Sequence, residues 1–104
     1  MKDKLQQLRS KIDELDTKLV RLLNERTKLV LEIGKLKLDA GEEIYSPDRE
    51  DAVLRRIVEK GDGPLPADSL RAIYREVMSA MDSIGQDRKD QREMQNGVIR
   101  EATT

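Results

Sequence analysis

The sequence predicts an all-α protein with three helices per subunit, the first of them too long for a compact monomer. Apolar residues recur at alternating steps of three and four through the first forty residues, which is the spacing of one face of an α-helix. Two further segments share this spacing, and each follows a start signal that contains proline. No segment has the alternation of apolar and polar residues that is typical of strands.

The first helix is predicted from about Lys4 to Ala40, with Gly41 as its C-terminal cap. At about 1.5 Å per residue it is roughly 55 Å long, whereas a compact domain of this size has a radius of gyration of about 13 Å. Its apolar face is therefore expected to pack against a second chain. That face consists of Leu5, Leu8, Ile12, Leu15, Leu19, Leu22, Leu29, Ile33 and Leu36.

Arg26 interrupts this apolar face, because it stands where the spacing calls for another leucine. A buried guanidinium group is costly unless an anion accompanies it. Lys37 lies about three turns further on and faces the same way, so the two cations can hold a small anion between them. Arg9 lies about 25 Å before Arg26 and is turned by roughly 100°, so it can reach that anion only from another subunit. The alternative is that Arg26 sets helix register or lies partly in solvent.

A second helix is predicted to end at Lys60 and to begin with Ser46 as its N-cap and Pro47 in its first turn. Arg49 and Glu50 lie one turn before the apolar residues of this helix. A cation and an anion therefore lie on the core side of the helix at its N-terminal end. Two interpretations stay open here. The two residues form a structural ion pair, or Arg49 binds a ligand while Glu50 accepts a hydrogen bond from a ligand hydroxyl.

The third helix is predicted to follow Pro66 and to pack on the first two, closing the pocket. Its apolar positions are Leu70, Ile73, Val77, Met81 and Ile84. From Gln86 onward the sequence is almost purely charged. We therefore expect residues 1–85 to form the folded domain and residues 86–104 to form a charged, frayed or disordered tail.

Composition narrows the possible functions. The 104 residues include no Cys and no His, which removes thiol chemistry, the commonest metal ligand and the commonest acid-base group. A formal net charge of −1 argues against nucleic-acid binding. No segment has the length of a membrane span or of a signal peptide's apolar region. We expect a cytoplasmic protein that uses no metal or cofactor and binds neither nucleic acid nor membrane.

Six short motifs connect these residues along the chain. In order they are Leu8-Arg9-x-x-Ile12-Asp13-x-Leu15-Asp16, Leu23-x-x-Arg26, Glu32-Ile33-Gly34-Lys35-x-Lys37, Pro47-x-Arg49-Glu50, Gly63-Pro64-Leu65 and Ile73-Tyr74-Arg75-Glu76. Together they resemble the all-helical class of chorismate mutase over about residues 5–81. The sequence looks most like the mutase domain that begins bifunctional chorismate mutase-prephenate dehydratases.

The resemblance implies an intertwined homodimer that rearranges chorismate, a dianion, to prephenate in aromatic amino-acid biosynthesis without any cofactor. By the same resemblance, the partner subunit supplies Arg9, and Arg26 and Arg49 bind the substrate carboxylates. Lys37 reaches the ether oxygen and the ring hydroxyl, and Glu50 binds the ring hydroxyl. Such a catalyst folds the substrate and stabilises negative charge that develops on the ether oxygen.

Three positions depart from the family pattern. Ser46 stands where an acidic residue is common, and Met81 stands where a serine often lies near a carboxylate. Gly85 replaces the glutamine or glutamate that partners the lysine at the ether oxygen, and neighbouring Gln86 is turned by about 100° on the helix. All four positions belong to the expected substrate-binding set, but activity is expected to be reduced if Gln86 cannot replace the missing group.

Two alternatives to a chorismate mutase remain. An isochorismate-pyruvate lyase shares the fold and eliminates pyruvate, although the contexts Lys35-x-Lys37 and Pro47-x-Arg49-Glu50 favour the mutase. The second alternative is a catalytically impaired helical module that only dimerises or binds a ligand.

Overall fold

Residues 2–103 form three α-helices, in agreement with the predicted fold class. The helices are α1 (Lys2–Asp39), α2 (Pro47–Lys60) and α3 (Ala67–Thr103). The computed structural model describes the backbone of residues 2–103 and the side chains of residues 2–97. α3 packs against both α1 and α2, as the sequence predicted. No helix within this described part combines the length and the apolar character needed to cross a membrane.

α1 projects from the rest of the subunit. The Cα radius of gyration is 19.2 Å and the longest dimension is 73 Å, against about 13 Å for the radius of gyration of a compact domain of this size. The nine apolar side chains of its predicted face are between 45% and 69% exposed. Few contacts within the subunit therefore cover this face, which has the spacing of a helix-packing surface.

The end of α1 has the geometry predicted for Gly41. This residue has a φ of +71°, the left-handed conformation that glycine adopts without steric cost. The Gly41 N–H donates to the Leu38 carbonyl at 3.1 Å, and the Glu42 N–H donates to the Lys37 carbonyl at 2.8 Å. These two bonds form a Schellman motif, which ends the helix and turns the chain back towards α2.

α3 does not end at Gly85, where the charged tail was expected to begin. α3 continues through Gly85 to Thr103. Two ion pairs attach this extension to the end of α1 and to the following loop: Arg92 Nη1 lies 2.8 Å from Asp39 Oδ1, and Lys89 Nζ lies 3.4 Å from Glu43 Oε2. Arginine, lysine, glutamine and glutamate, which are frequent in this extension, are good helix formers. The acidic partners of Lys89 and Arg92 lie far away in sequence.

The predicted boundary between a folded domain and a tail at residue 85 stays a prediction. A helix that continues past residue 85 does not show where the folded domain ends. Thr104, the last residue of the expected tail, lies outside the described residues.

Candidate active site

A cavity of about 140 Å³ lies between α1, the loop before α2, the start of α2 and α3. Its walls are mainly apolar, whereas its polar side chains are mostly charged. The lining residues are Arg26, Val30, Ile33, Gly34, Lys37, Ile44, Ser46, Arg49, Glu50, Val53, Met78 and Asp82. The fold thus brings together five residues that the sequence singled out, three of them cations, in a space that suits a small anion.

Arg26 is half-buried, and the groups that its guanidinium contacts do not neutralise its positive charge. Its Nη1 donates to the Met81 sulfur at 2.9 Å, and its Cζ lies 5.8 Å from the centre of the Tyr74 ring. A thioether is a weak acceptor, and an aromatic ring attracts a cation without neutralising it. Among residues 2–97 no carboxylate forms an ion pair with Arg26. A ligand carboxylate can therefore replace the sulfur contact at little cost.

Lys37 enters the cavity from the last turns of α1, about three turns beyond Arg26. Its Nζ donates to the Ile44 carbonyl at 3.1 Å, which holds the ammonium group at the cavity wall. The Ile44 side chain packs beside Gly34, where an added Cβ would lie 3.4 Å from Ile44 Cδ1. The absence of a side chain at Gly34 thus lets the loop close over α1 near Lys37.

The start of α2 places Arg49 and Glu50 at the cavity, and the predicted N-cap is confirmed. Ser46 is extended, with a φ of −132°, and Pro47 is the first residue of the helix. Ser46 Oγ accepts a hydrogen bond from the Arg49 N–H at 3.4 Å. The Ser46 carbonyl accepts one from the Glu50 N–H at 3.1 Å. These bonds fix the first turn, so both side chains emerge on the cavity side.

Asp82 is a lining residue that the sequence analysis did not identify. Its hydrogen bond with the Glu50 carboxyl is the largest influence that raises the pKa of Glu50, which reaches about 7. Burial and the negative charges of Asp82 and Asp51 raise this pKa further. Asp82 follows Met78 by one turn on the buried side of α3. A carboxylate on an apolar helix face is the same kind of signal that identified Arg26.

Four predicted substrate-binding residues do not line this cavity. Arg9 is exposed and lies seventeen residues before Arg26 on α1, which corresponds to about 25 Å. Met81 is buried and contacts Arg26. Gly85 is buried beside Ile44.

Gln86 is the fourth of these residues. It is exposed, and its Nε2 donates to Asp90 Oδ1 at 3.1 Å. The helical rotation of about 100° between adjacent residues turns Gln86 away from the cavity. Gln86 therefore does not occupy the place that Gly85 leaves without a side chain.

Comparison with known proteins places this architecture in one family. A model of the family described as chorismate mutase type II matches residues 8–84. A bifunctional chorismate mutase/prephenate dehydratase from Neisseria gonorrhoeae is 56% identical over 36 residues, which are 35% of this chain. The match spans only 10% of the length of that relative.

Two solved structures of chorismate mutase from Thermus thermophilus share the fold. Form II has 32% sequence identity and a TM-score of 0.78, and the match covers 80% of this chain and 94% of that one. Form I has 35% identity and a TM-score of 0.73, and the match covers 75% and 98% of the two chains. The part of α3 beyond residue 84 lies outside the match to the family model.

We expect Ser46→Ala to lower the free energy of unfolding by about 0.5–1 kcal/mol, because the N-cap hydrogen bond of α2 is lost. Ser46→Asp should retain stability, since a carboxylate also caps a helix and suits its dipole. Urea denaturation followed by circular dichroism at constant protein concentration measures both effects. Ser83→Ala, at an exposed position within α3, is the control. Equal stability of Ser46→Ala and wild type would contradict the capping role.

Proposed function

The chain belongs to the chorismate mutase type II family, and we propose that it converts chorismate to prephenate without a metal or cofactor. The observation that carries this proposal is the convergence of Arg26, Lys37 and Arg49 on one cavity. In the described part of the chain none of these cations forms an ion pair with a carboxylate. A dianion supplies the charges that the cavity lacks.

The reaction needs positioning and electrostatics rather than a nucleophile. One carbon–oxygen bond of the substrate breaks while a carbon–carbon bond forms within the same molecule. Arg26 and Arg49 bind the two carboxylates and hold the enolpyruvyl group over the ring. The bound substrate therefore adopts the reacting conformation more often than it does in solution. Glu50 accepts a hydrogen bond from the ring hydroxyl.

Lys37 stabilises the negative charge that develops on the ether oxygen as the carbon–oxygen bond breaks. Its ammonium group donates to the Ile44 carbonyl at 3.1 Å. The ammonium exchanges this neutral acceptor for the ether oxygen, so its interaction strengthens as the transition state is approached. A preorganised donor of this kind stabilises the transition state more than the substrate.

A homodimer completes the proposed site. The apolar face of α1 is about half exposed along the whole helix, and packing two such helices together removes this surface from water. Arg9 lies too far along α1 to reach the cavity of its own subunit. The partner subunit contributes its copy of this arginine to the substrate carboxylates.

The environment of Gly85 favours a slow enzyme over a fast one. This position carries no side chain near the ether oxygen, and Gln86 is bonded to Asp90. Lys37 is then left as the only donor proposed at that oxygen. In the extreme case the chain binds chorismate but does not convert it, which is the binding-module alternative.

The proposed reaction is tested by adding purified protein to chorismate and identifying the product by proton NMR. We expect prephenate, and we expect Lys37→Gln to lower kcat by about 100-fold or more because the charge at the ether oxygen loses its donor. Lys35→Gln is the matched control, because Lys35 lies two residues away on α1 and outside the cavity. Pyruvate as the product would identify a lyase instead. Failure of the wild type to consume chorismate would support the binding module.

The shared site is tested by mixing two inactive variants, Arg9→Ala and Arg26→Ala, and refolding them together. Random pairing makes half of the dimers mixed, and each mixed dimer has one intact site, so about a quarter of wild-type activity should return. Each variant refolded alone is the control and should stay inactive. No recovery from the mixture, or full activity of Arg9→Ala alone, would contradict the contribution of Arg9 from the partner.

A further inference from the structure

We propose that Asp82 and Glu50 act as one carboxyl pair that sets the negative charge of the site and thereby weakens substrate binding as the pH rises. This inference rests on the proposed function, since it concerns a dianionic substrate. It assigns a role to Asp82 that the family motifs in this sequence do not include.

The geometry places both carboxyl groups at one boundary. Glu50 comes from the first turn of α2 and Asp82 from the facing part of α3, and both are half-buried. Both line the candidate active site and also a second cavity of about 410 Å³ between α2 and α3. Because the two carboxyl groups line the same two cavities, the negative charge of one opposes ionisation of the other.

The groups that face this pair include cations as well as anions. α1 contributes Arg26 and Lys37 to the shared cavity, and α2 contributes Arg49. On the side of the second cavity, Asp51 from α2, Arg75 from α3 and Tyr45 from the loop complete the titratable neighbours. Among the residues with described side chains, no cation forms an ion pair with either carboxyl group.

The outcome of these influences is a pKa of about 7 for Glu50, raised first by the hydrogen bond to Asp82. Below this pH the pair carries one negative charge, and above it the pair carries two. A substrate dianion then meets an additional negative charge in the same cavity, which opposes the attraction of the arginines. Because a single proton is linked to binding, KM should rise above pH 7 by at most about tenfold per pH unit.

The protonated state remains compatible with the role proposed for Glu50. A protonated carboxyl keeps a carbonyl oxygen that accepts a hydrogen bond from the ring hydroxyl. The proton therefore removes the repulsion of the dianion without removing this contact. The pH dependence should appear mainly in KM, with kcat changing less.

The kinetic experiment compares KM and kcat for chorismate between pH 6 and 9 in wild type, Asp82→Asn and Asp87→Asn. Wild type and the exposed control Asp87→Asn should show the rise in KM. In Asp82→Asn the pKa of Glu50 falls towards its ordinary value of 4.5, so a single charge is present throughout this range and KM should stay constant. A constant KM in wild type, or the same rise in Asp82→Asn, would overturn the proposal.

A substrate-free measurement separates this proposal from the proposed function. In protein carrying carbon-13 at the glutamate carboxyl, the Glu50 signal, assigned by its loss in Glu50→Gln, should titrate near pH 7 in wild type. It should titrate at clearly lower pH in Asp82→Asn. An ordinary titration of Glu50 in wild type would overturn the carboxyl pair even if chorismate is converted. A titration near pH 7 without conversion of chorismate would instead reject the proposed function alone.

Discussion

The constraint on which this structure depends is the presence of cations in one small, partly apolar cavity without carboxylates paired to them. Arg26 and Lys37 are half-buried there and contact a thioether sulfur and a backbone carbonyl. Positive charge in such a place opposes folding unless an anion joins it. Such an arrangement becomes favourable when an anion joins the cations, which is why we propose a binding site here and not a structural core.

Each of the three helices positions a different part of this cavity. α1 is a rigid rod that keeps Arg26 and Lys37 about 16 Å apart along one face. The N-cap at Ser46 directs the first turn of α2 into the cavity, and α3 closes the opposite wall with Met78 and Asp82. The same rigidity makes α1 project from the subunit. Its apolar face is therefore left exposed by the contacts within one subunit.

The sequence predicted the parts that depend on local rules. Helical spacing, the cap at Ser46 and the misplaced charge of Arg26 can each be recognised within a few residues. The continuation of α3 could not be recognised in this way, because Lys89 and Arg92 find their partners 46 and 53 residues away in the chain. The position of Asp82 on the apolar face of α3 could have been noticed in the sequence, but its effect on Glu50 appears only when α2 and α3 lie side by side.

The most direct test of this account is to replace Arg26 by leucine and to measure stability with and without prephenate, the proposed product. Without ligand, Arg26→Leu should be as stable as wild type or more stable, because an apolar side chain now occupies the half-buried position on α1. Saturating prephenate should raise the melting temperature of the wild type and leave that of Arg26→Leu unchanged. Equal stabilisation of both proteins by prephenate would contradict the account, because Arg26 would then be structural and not part of an anion site.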